Sequence, residues 1–238
     1  MSGAAPPVQA ARLVAAYPHD PEAFTQGLFW KDGLLFESTG LEGRSTVRKV
    51  ELESGGVVAS TRFPDDVFGE GIAPWGEEVV AVTWQGGVGF RWSAETLEPT
   101  GTFRFSGEGW GLASDGDRLI LSDGTPLLRF LDAETCAETG SLRVTAGGQP
   151  LPWLNALQWV EGEILANVLT LPAIARIDPV SGRVTGWIDL RPFVFECAAG
   201  DPEKVANGIA WDADERRLFV TGKNWPRLYQ LELPPPLR

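Results

Sequence analysis

The sequence predicts an all-β chain folded as a five-bladed β-propeller of four-stranded antiparallel blades, with residues 1–238 forming a single domain. A short strand-like phrase recurs five times, each time around one small residue, and the intervals between these residues are 44, 40, 45 and 52 positions. A repeat of about 40–45 residues is the length of one propeller blade. No segment has sustained 3.6-residue apolar periodicity, so we expect very little helix. The small residues are Gly27, Gly71, Gly111, Ala156 and Gly208.

The recurring phrase is the expected inner strand of each blade, and inner strands line the central channel of a propeller. The five copies span 24–28, 68–72, 108–112, 153–157 and 205–209. The residue before the small position should therefore face the channel in every blade. These residues are Gln26, Glu70, Trp110, Asn155 and Asn207.

Further strands follow each phrase. A sequence such as Lys31-Asp32-Gly33 is typical of a β-hairpin turn, and it leads into a second apolar run. In the clearest copy, a third strand ends in the turn Asp178–Gly182 and a fourth returns over 183–188. The second runs are 34–38, 79–84, 119–123, 164–168 and 218–222.

The last repeat predicts how the ring closes. Only three strands fit before the chain meets Pro234-Pro235-Pro236, while the run 12–17 precedes the first repeat without a partner. Pairing that run as the outer strand of the last blade would remove an open sheet edge. The stretched last interval contains a link, 192–206, which we expect to form a rim over the site. Another all-β sandwich or barrel is the competing fold.

Composition excludes several chemistries. The chain has one histidine, His19, and two cysteines, Cys136 and Cys197, 61 positions apart. A zinc site usually needs three or four closely arranged ligands, which these residues cannot supply. A serine hydrolase triad would have to use His19, which lies between two prolines and is expected to be a turn residue. Acid–base chemistry therefore falls mainly to carboxylates, lysine or tyrosine.

The net charge and the hydropathy of the sequence limit the kinds of partner that we expect for this protein. The net charge of −12 disfavours a nucleic-acid binder. No apolar run approaches the 18 residues of a membrane-spanning helix, and residues 1–7 lack the basic and apolar regions of a signal peptide. The sequence leaves the compartment open, cytoplasmic or exported, and does not show whether the cysteines pair.

The expected binding site lies at one mouth of the channel. The ends of the second runs add Glu37, Trp84, Asp123 and Lys223 to the five channel residues. Polar groups that converge beside aromatic walls in one concavity are typical of a ligand site. Polar residues that only hydrate a channel are the alternative. Most of the ten tryptophans, such as Trp92, Trp187 and Trp211, are expected to pack between blades.

Several phrases together resemble the motifs of the plant and bacterial glutaminyl cyclases. The opening phrase 17–28 (Tyr-Pro-His-Asp-Pro-Glu-Ala-Phe-Thr-Gln-Gly-Leu) resembles the first motif of that family. Later motifs match in order at 37–41, 68–72, 107–112, 207–210 and 221–226, so the resemblance runs from Tyr17 to Leu231. It implies a zinc-independent, five-bladed transferase, an acyltransferase that cyclises the N-terminal glutamine of peptides to pyroglutamate and releases ammonia.

The resemblance also implies roles for individual residues. Glu70 matches the catalytic glutamate, Asn155 and Lys223 match residues near the developing oxyanion, and Trp84 and Trp110 match pocket walls. Gln26 and Glu37 match polar residues that hold the substrate amine or amide, and Asn207 joins the substrate-binding set through its channel position. We expect no cofactor and no catalytic metal, a structural calcium in the channel being unsupported by the sequence. A monomer acting on peptides or proteins that begin with glutamine is expected.

One blade departs from the family. Ala156 and Gln158 stand where the family has two carboxylates, and Leu169 stands where it has a tryptophan. We expect an active enzyme with altered affinity or substrate preference. A non-catalytic peptide-binding propeller is the alternative. A lactonase-like hydrolase that binds calcium through Glu70, Asn155, Asn207 and Asp123 is a third reading. The natural substrates stay open.

Overall fold

A computed structural model describes residues 4–235 as five antiparallel sheets arranged as the blades of a propeller. The chain begins with β1 (Val8–Ala10) and β2 (Arg12–Pro18). The first blade is β3 (Thr25–Lys31), β4 (Leu34–Thr39), β5 (Thr46–Val50) and β6 (Val57–Arg62). The second is β7 (Gly69–Trp75), β8 (Glu78–Thr83), β9 (Val88–Ser93) and β10 (Pro99–Arg104). The third is β11 (Gly111–Ser114), β12 (Leu119–Ser122), β13 (Leu127–Leu131) and β14 (Glu138–Arg143).

The second half of the chain continues the pattern after a small hairpin, β15 (Thr145–Ala146) and β16 (Gln149–Pro150). The fourth blade is β17 (Leu154–Val160), β18 (Glu163–Val168), β19 (Ala173–Ile177) and β20 (Val184–Asp189). Helix α1 (Arg191–Ala198) leads to the fifth blade, β21 (Ala206–Asp212), β22 (Arg217–Gly222) and β23 (Arg227–Glu232). The five-bladed fold and its low helix content are confirmed.

The ring closes as predicted, through the N-terminal segment. β2 pairs antiparallel with β23, from Leu13 opposite Leu231 to Pro18 opposite Arg227, and so becomes the outer strand of the fifth blade. β1 adds a feature that the sequence did not predict. It pairs parallel with β20, Val8 opposite Trp187, and so the N-terminal segment joins the fourth and fifth blades.

Glycines allow the inner strands to crowd at the axis. A Cβ atom built on Gly27 would lie 2.6 Å from the backbone nitrogen of Ile72, and one on Gly71 would lie 2.4 Å from that of Leu112. One on Gly111 would lie 2.0 Å from the carbonyl oxygen of Asn155. These contacts are between neighbouring blades and involve backbone atoms, which cannot yield as a flexible side chain would. The recurring small residue is therefore a packing requirement.

A bulge recurs beside the small residue. The ladder between the first two strands shifts register across Thr25/Gly27, Gly69/Ile72, Leu154/Leu157 and Ala206/Ile209. A bulge leaves a residue out of the ladder and re-aims its side chain. Four blades thus present their channel residue (Gln26, Glu70, Asn155 and Asn207) from a bulge. In the third blade, Trp110 comes directly before β11.

Apolar side chains fill the spaces between adjacent blades. Trp92 and Trp211 are buried there, as expected, and Trp187 packs partly buried against the fourth blade's cluster. The link 192–206 contains α1, whose Phe193 and Cys197 are buried against the fifth blade. This part of the link is therefore a packed element.

The structure adds two findings on cysteine pairing and on membrane-spanning helices, both for residues 4–235. Cys136 and Cys197 are both free, buried thiols, so they do not pair with each other. In the same part of the chain, the structure shows no helix with the length and apolar character to cross a membrane.

Candidate active site

A chain of amides and one carboxylate crosses the channel between three blades. Asn207 Nδ2 donates to Gln26 Oε1 over 3.0 Å, and Gln26 Nε2 donates to Glu70 Oε1 over 3.3 Å. All three side chains are buried. The structure therefore brings together three of the residues that the repeat placed at equivalent positions.

Glu70 is an unusual carboxyl group because it is buried with little hydrogen bonding. Burial raises the pKa of Glu70 well above its ordinary value. The positive charge of Lys223 opposes that rise in pKa, whereas the negative charge of Glu108 adds to it. A raised pKa makes the carboxylate a stronger base, as a group that takes up a proton during a reaction must be.

Lys223 directly follows β22, and its positive charge acts on Glu70. Its backbone nitrogen donates to the carbonyl of Val205 over 2.9 Å, which fixes the residue against the end of the link. Its Nζ lies 4.6 Å from the centre of the Phe24 ring. Burial lowers the pKa of Lys223, and the negative charge of Glu70 opposes this change. The charge of each group thus acts on the pKa of the other.

The fourth blade contributes two amides with unused hydrogen-bonding capacity. Asn155 Oδ1 and Asn167 Nδ2 are buried and have no hydrogen-bond partner among the described residues. Buried polar atoms nearly always have a partner, so these two unpaired amide groups are candidates to bind the polar groups of a ligand. Asn167 was not predicted, although an asparagine inside the apolar run 164–168 was a signal for it.

Aromatic side chains form the wall of the mouth. Glu108 Oε2 accepts hydrogen bonds from Trp84 Nε1 over 3.1 Å and from Trp110 Nε1 over 2.9 Å, which holds the two predicted wall residues together. Phe68 lies edge-on to Trp84, with ring centres 5.8 Å apart. The Trp110 and Trp153 ring centres are 6.1 Å apart.

The sequence interpretation did not single out four members of this wall and its support. They are Phe24, Phe68, Glu108 and Trp153. Each is the first residue of a recurring phrase, so its position in the repeat could have indicated that it lies near the site. A phenylalanine or tryptophan at such a position is also typical of packing between blades, and the sequence could not separate the two roles.

Glu37 has a different environment from the one expected of a substrate-binding residue. Its carboxylate accepts from Thr25 Oγ1 over 2.7 Å and from Arg48 Nε and Nη2 over 3.0 and 2.9 Å, and Oε1 lies 3.0 Å from His19 Nε2. The Glu37 side chain is 2% exposed. Because protein groups engage both oxygens, the carboxylate is occupied as an anchor and is not open to a ligand.

Charge stabilises this anchor. Burial would raise the pKa of Glu37, but His19 and Arg48 outweigh it and lower the pKa to about 2. Burial lowers the pKa of His19, while Glu37 more than compensates and raises it overall. His19, expected as a turn residue, is buried, and its Nδ1 lies 2.6 Å from the carbonyl oxygen of Trp225. The network thus connects Thr25, the residue before Gln26, to Trp225, two residues after Lys223.

Asp123 also has its oxygens engaged nearby. Oδ1 accepts from the backbone nitrogen and the hydroxyl of Thr125, and Oδ2 lies 3.8 Å from Arg129 Nη1. The residue therefore caps its own loop. Across residues 4–235, histidine, cysteine, aspartate and glutamate do not cluster in threes as a metal site would require.

The three residues of the fourth blade that depart from the family motifs lie on β17 or next to Trp153. Ala156 is buried, and its backbone nitrogen lies 3.4 Å from Asn207 Oδ1, so the small side chain stands beside the amide chain. Gln158 is partly buried and donates to the carbonyl of Trp159. Leu169 is half-buried, and its backbone nitrogen donates to the carbonyl of Trp153 over 2.8 Å.

Comparison with known proteins supports the resemblance noted from the motifs. The family model for glutamine cyclotransferases matches residues 1–233. Over 225 residues, the chain is 43% identical to a glutaminyl-peptide cyclotransferase of Arabidopsis thaliana, covering 93% of this chain and 70% of that protein. The crystal structure of Myxococcus xanthus glutaminyl cyclase matches with a TM-score of 0.89 and 38% identity, covering 95% of this chain and 97% of that one. The chain belongs to the glutamine cyclotransferase family.

Proposed function

We propose that this protein is a glutaminyl-peptide cyclotransferase, an acyltransferase that converts the N-terminal glutamine of peptides to pyroglutamate. The observation that carries the proposal is Glu70. It is a buried carboxyl with a raised pKa, hydrogen-bonded to Gln26 and influenced by the positive charge of Lys223. It lies on the inner strand β7, in the same candidate site as the aromatic side chains of Trp84 and Trp110. Membership of the family supports the same activity.

The reaction joins two groups of one residue. The α-nitrogen of the substrate glutamine attacks its own side-chain amide carbon, and a carbon–nitrogen bond forms while the carbonyl oxygen becomes an oxyanion. Collapse of this intermediate breaks the bond to the side-chain nitrogen, which leaves as ammonia. One proton moves from the α-nitrogen to the leaving nitrogen. Because both reacting groups belong to one molecule, the enzyme contributes orientation and proton transfer.

Glu70 carries the proton in this scheme. An α-amino group has a pKa of about 8, so part of it is neutral at physiological pH and ready to attack. The Glu70 carboxylate accepts the proton from the attacking nitrogen and returns it to the leaving nitrogen. Its raised pKa favours the first transfer, since a carboxylate of ordinary pKa is too weak a base to take the proton and hold it between the two steps.

The remaining groups orient the substrate and stabilise charge. Lys223 supplies positive charge near the oxyanion. We assign the amide nitrogen of Asn155 as the group that donates a hydrogen bond to the oxyanion. The unpaired Asn155 Oδ1 accepts an N–H of the substrate. Gln26 and Asn207 hold the floor of the site, while Trp84 and Trp110 exclude water from it.

Every step described uses only proton transfer, hydrogen bonds and charge, so we propose that the reaction requires no cofactor or metal. We also propose that the protein acts as a monomer, because each of these groups comes from one chain. The substrates are peptides or proteins that begin with glutamine. The changed fourth blade, with Ala156, Gln158 and Leu169, is proposed to alter affinity rather than the chemistry.

The test is ammonia release from a dipeptide that begins with glutamine, coupled to mass spectrometry of the peptide. We expect one ammonia per pyroglutamyl product, and none from the matched dipeptide that begins with asparagine, whose shorter side chain would have to close a strained four-membered ring. Binding of the glutamine peptide without ammonia would contradict the proposal and favour a non-catalytic peptide-binding propeller.

A further inference from the structure

Trp153 is the most exposed aromatic side chain of the channel mouth. Its side chain is 54% exposed, compared with 39% for Trp84. It directly precedes β17 and stands two residues before Asn155. Its ring is tilted by 38° to that of Trp110, with the centres 6.1 Å apart. Trp153 therefore extends the aromatic wall outward, from the reactive floor toward solvent.

The backbone of Trp153 is held in an unfavourable conformation. Its φ is +69°, in the left-handed region that a bulky side chain seldom adopts. Two backbone hydrogen bonds fix it, from its nitrogen to the Gly124 carbonyl over 2.6 Å and from the Leu169 nitrogen to its own carbonyl over 2.8 Å. Such strain clusters at ligand sites, where the surrounding structure holds the residue in place.

The neighbouring loop is shaped around the same two rings. Gly124 has a φ of +77°, and a Cβ atom built on it would lie 2.7 Å from the Trp110 ring. Glycine at this position lets the loop close over Trp110 while its carbonyl holds Trp153. Burial in the core does not explain the tryptophan, because half of its surface faces solvent. If the residue served only to form a turn, glycine would adopt this positive φ with less strain than tryptophan.

The proposed chemistry places a particular part of the substrate next to this ring. The α-nitrogen and the side-chain amide of the first residue must both lie at Glu70 and Asn155, so that residue fills the channel. The remainder of the peptide has to leave through the mouth. The side chain of the second residue is therefore the first part of the substrate to reach the level of Trp153.

We propose that Trp153 is a specificity-determining residue, whose exposed ring binds an aromatic or large apolar side chain at the second position of the substrate. Offset or edge-on aromatic contacts add roughly 0.5–1.5 kcal/mol beyond area burial, which corresponds to a factor of about 2 to 12. The preferred substrates are thus peptides that begin Gln-Phe, Gln-Tyr or Gln-Trp. This inference rests on the proposed cyclase function.

The test compares kcat/KM for Gln-Phe-amide and Gln-Gly-amide in the unsubstituted protein and in Trp153→Gly. Glycine accepts a φ of +69° without strain, so this variant removes the ring and relaxes the backbone together. We expect the Phe/Gly preference to fall about threefold to tenfold through KM. We expect Gln-Gly-amide to be affected much less than Gln-Phe-amide, and the melting temperature to stay within about 3 °C. Trp153→Phe should keep part of the preference.

The matched control is Phe195→Ala, which removes an aromatic ring that is 87% exposed on α1. It should leave the preference and kcat/KM unchanged. An unchanged Phe/Gly ratio in both Trp153 variants, or a Trp153→Gly protein that melts far lower, would overturn the inference and assign Trp153 a structural role. In either case ammonia release by the unsubstituted protein would leave the proposed function standing. Absence of ammonia from both peptides would overturn the two together.

Discussion

Replacing Glu37 with glutamine should destabilise the protein strongly and affect substrate binding little. The change removes the charge that pairs with His19 and Arg48, whose side chains are 4% and 11% exposed. Deleting one partner of a buried ion pair costs roughly 3–5 kcal/mol. The pKa of Glu37 gives a second estimate. Folding lowers it from 4.5 to about 2, which corresponds to about 3.5 kcal/mol.

The sign of the pH dependence follows from the same pKa. A carboxyl whose pKa is lowered by folding stabilises the protein above its unfolded pKa, and this contribution disappears as pH falls through its folded pKa. The difference between the two proteins should therefore be complete at pH 6 and shrink between about pH 5 and pH 2. His19 has a raised pKa, so its own contribution is present below pH 6.5 and is lost as pH rises through the folded value.

The assay is urea unfolding followed by tryptophan fluorescence, at pH 6 and at pH 3. Glu232→Gln is the control, because its ion pair with Arg12 is exposed and should contribute less than about 1 kcal/mol. Glu37→Gln should lose about 3 kcal/mol at pH 6 with KM nearly unchanged in the folded protein. A loss below about 1 kcal/mol together with a large rise in KM would refute this reasoning and return Glu37 to the substrate.

Three further predictions concern packing, charge and metal. Gly71→Ala should lose roughly 1–3 kcal/mol of unfolding free energy, since the new methyl group would lie 2.4 Å from the Leu112 nitrogen; Gly101→Ala, with nothing described within 4 Å, should be near neutral in the same urea titration. Lys223→Met should lower kcat about 100-fold, because the positive charge near the oxyanion is lost. It should also move the acid limb of the pH profile of kcat/KM to higher pH, because the lysine charge opposes the raised pKa of Glu70. An acid limb at the same pH in both proteins would contradict an effect of Lys223 on Glu70. Exhaustive chelation should leave ammonia release unchanged, and calcium-dependent recovery would contradict this.

The sequence predicted the fold because the repeat has a physical cause. Gly27, Gly71 and Gly111 recur where inner strands touch backbone to backbone, and in four of the five blades a bulge stands beside the channel residue. The missing strand of the last blade was visible as three strands followed by prolines. The parallel pairing of β1 with β20 was not visible, since three residues have no pattern strong enough to choose a partner.

The site was predicted less completely than the fold. Glu70, Gln26 and Asn207 do meet in the channel, because equivalent repeat positions converge there. Glu37 was placed with them since it lies near the end of a neighbouring run, but its environment depends on Arg48, which is opposite it on β5, and on His19, which precedes the first repeat. Only three-dimensional contacts could show that its oxygens are taken.

The central claim is that Glu70 carries the proton during cyclisation, and Glu70→Gln tests it most directly. Ammonia release from a glutamine dipeptide should fall about 100-fold to 10,000-fold in kcat, with KM similar. Stability at pH 8 should be equal or higher, because a buried carboxyl with a raised pKa costs stability as pH rises above its unfolded value. A folded Glu70→Gln protein that keeps more than about a tenth of the original kcat would contradict the account.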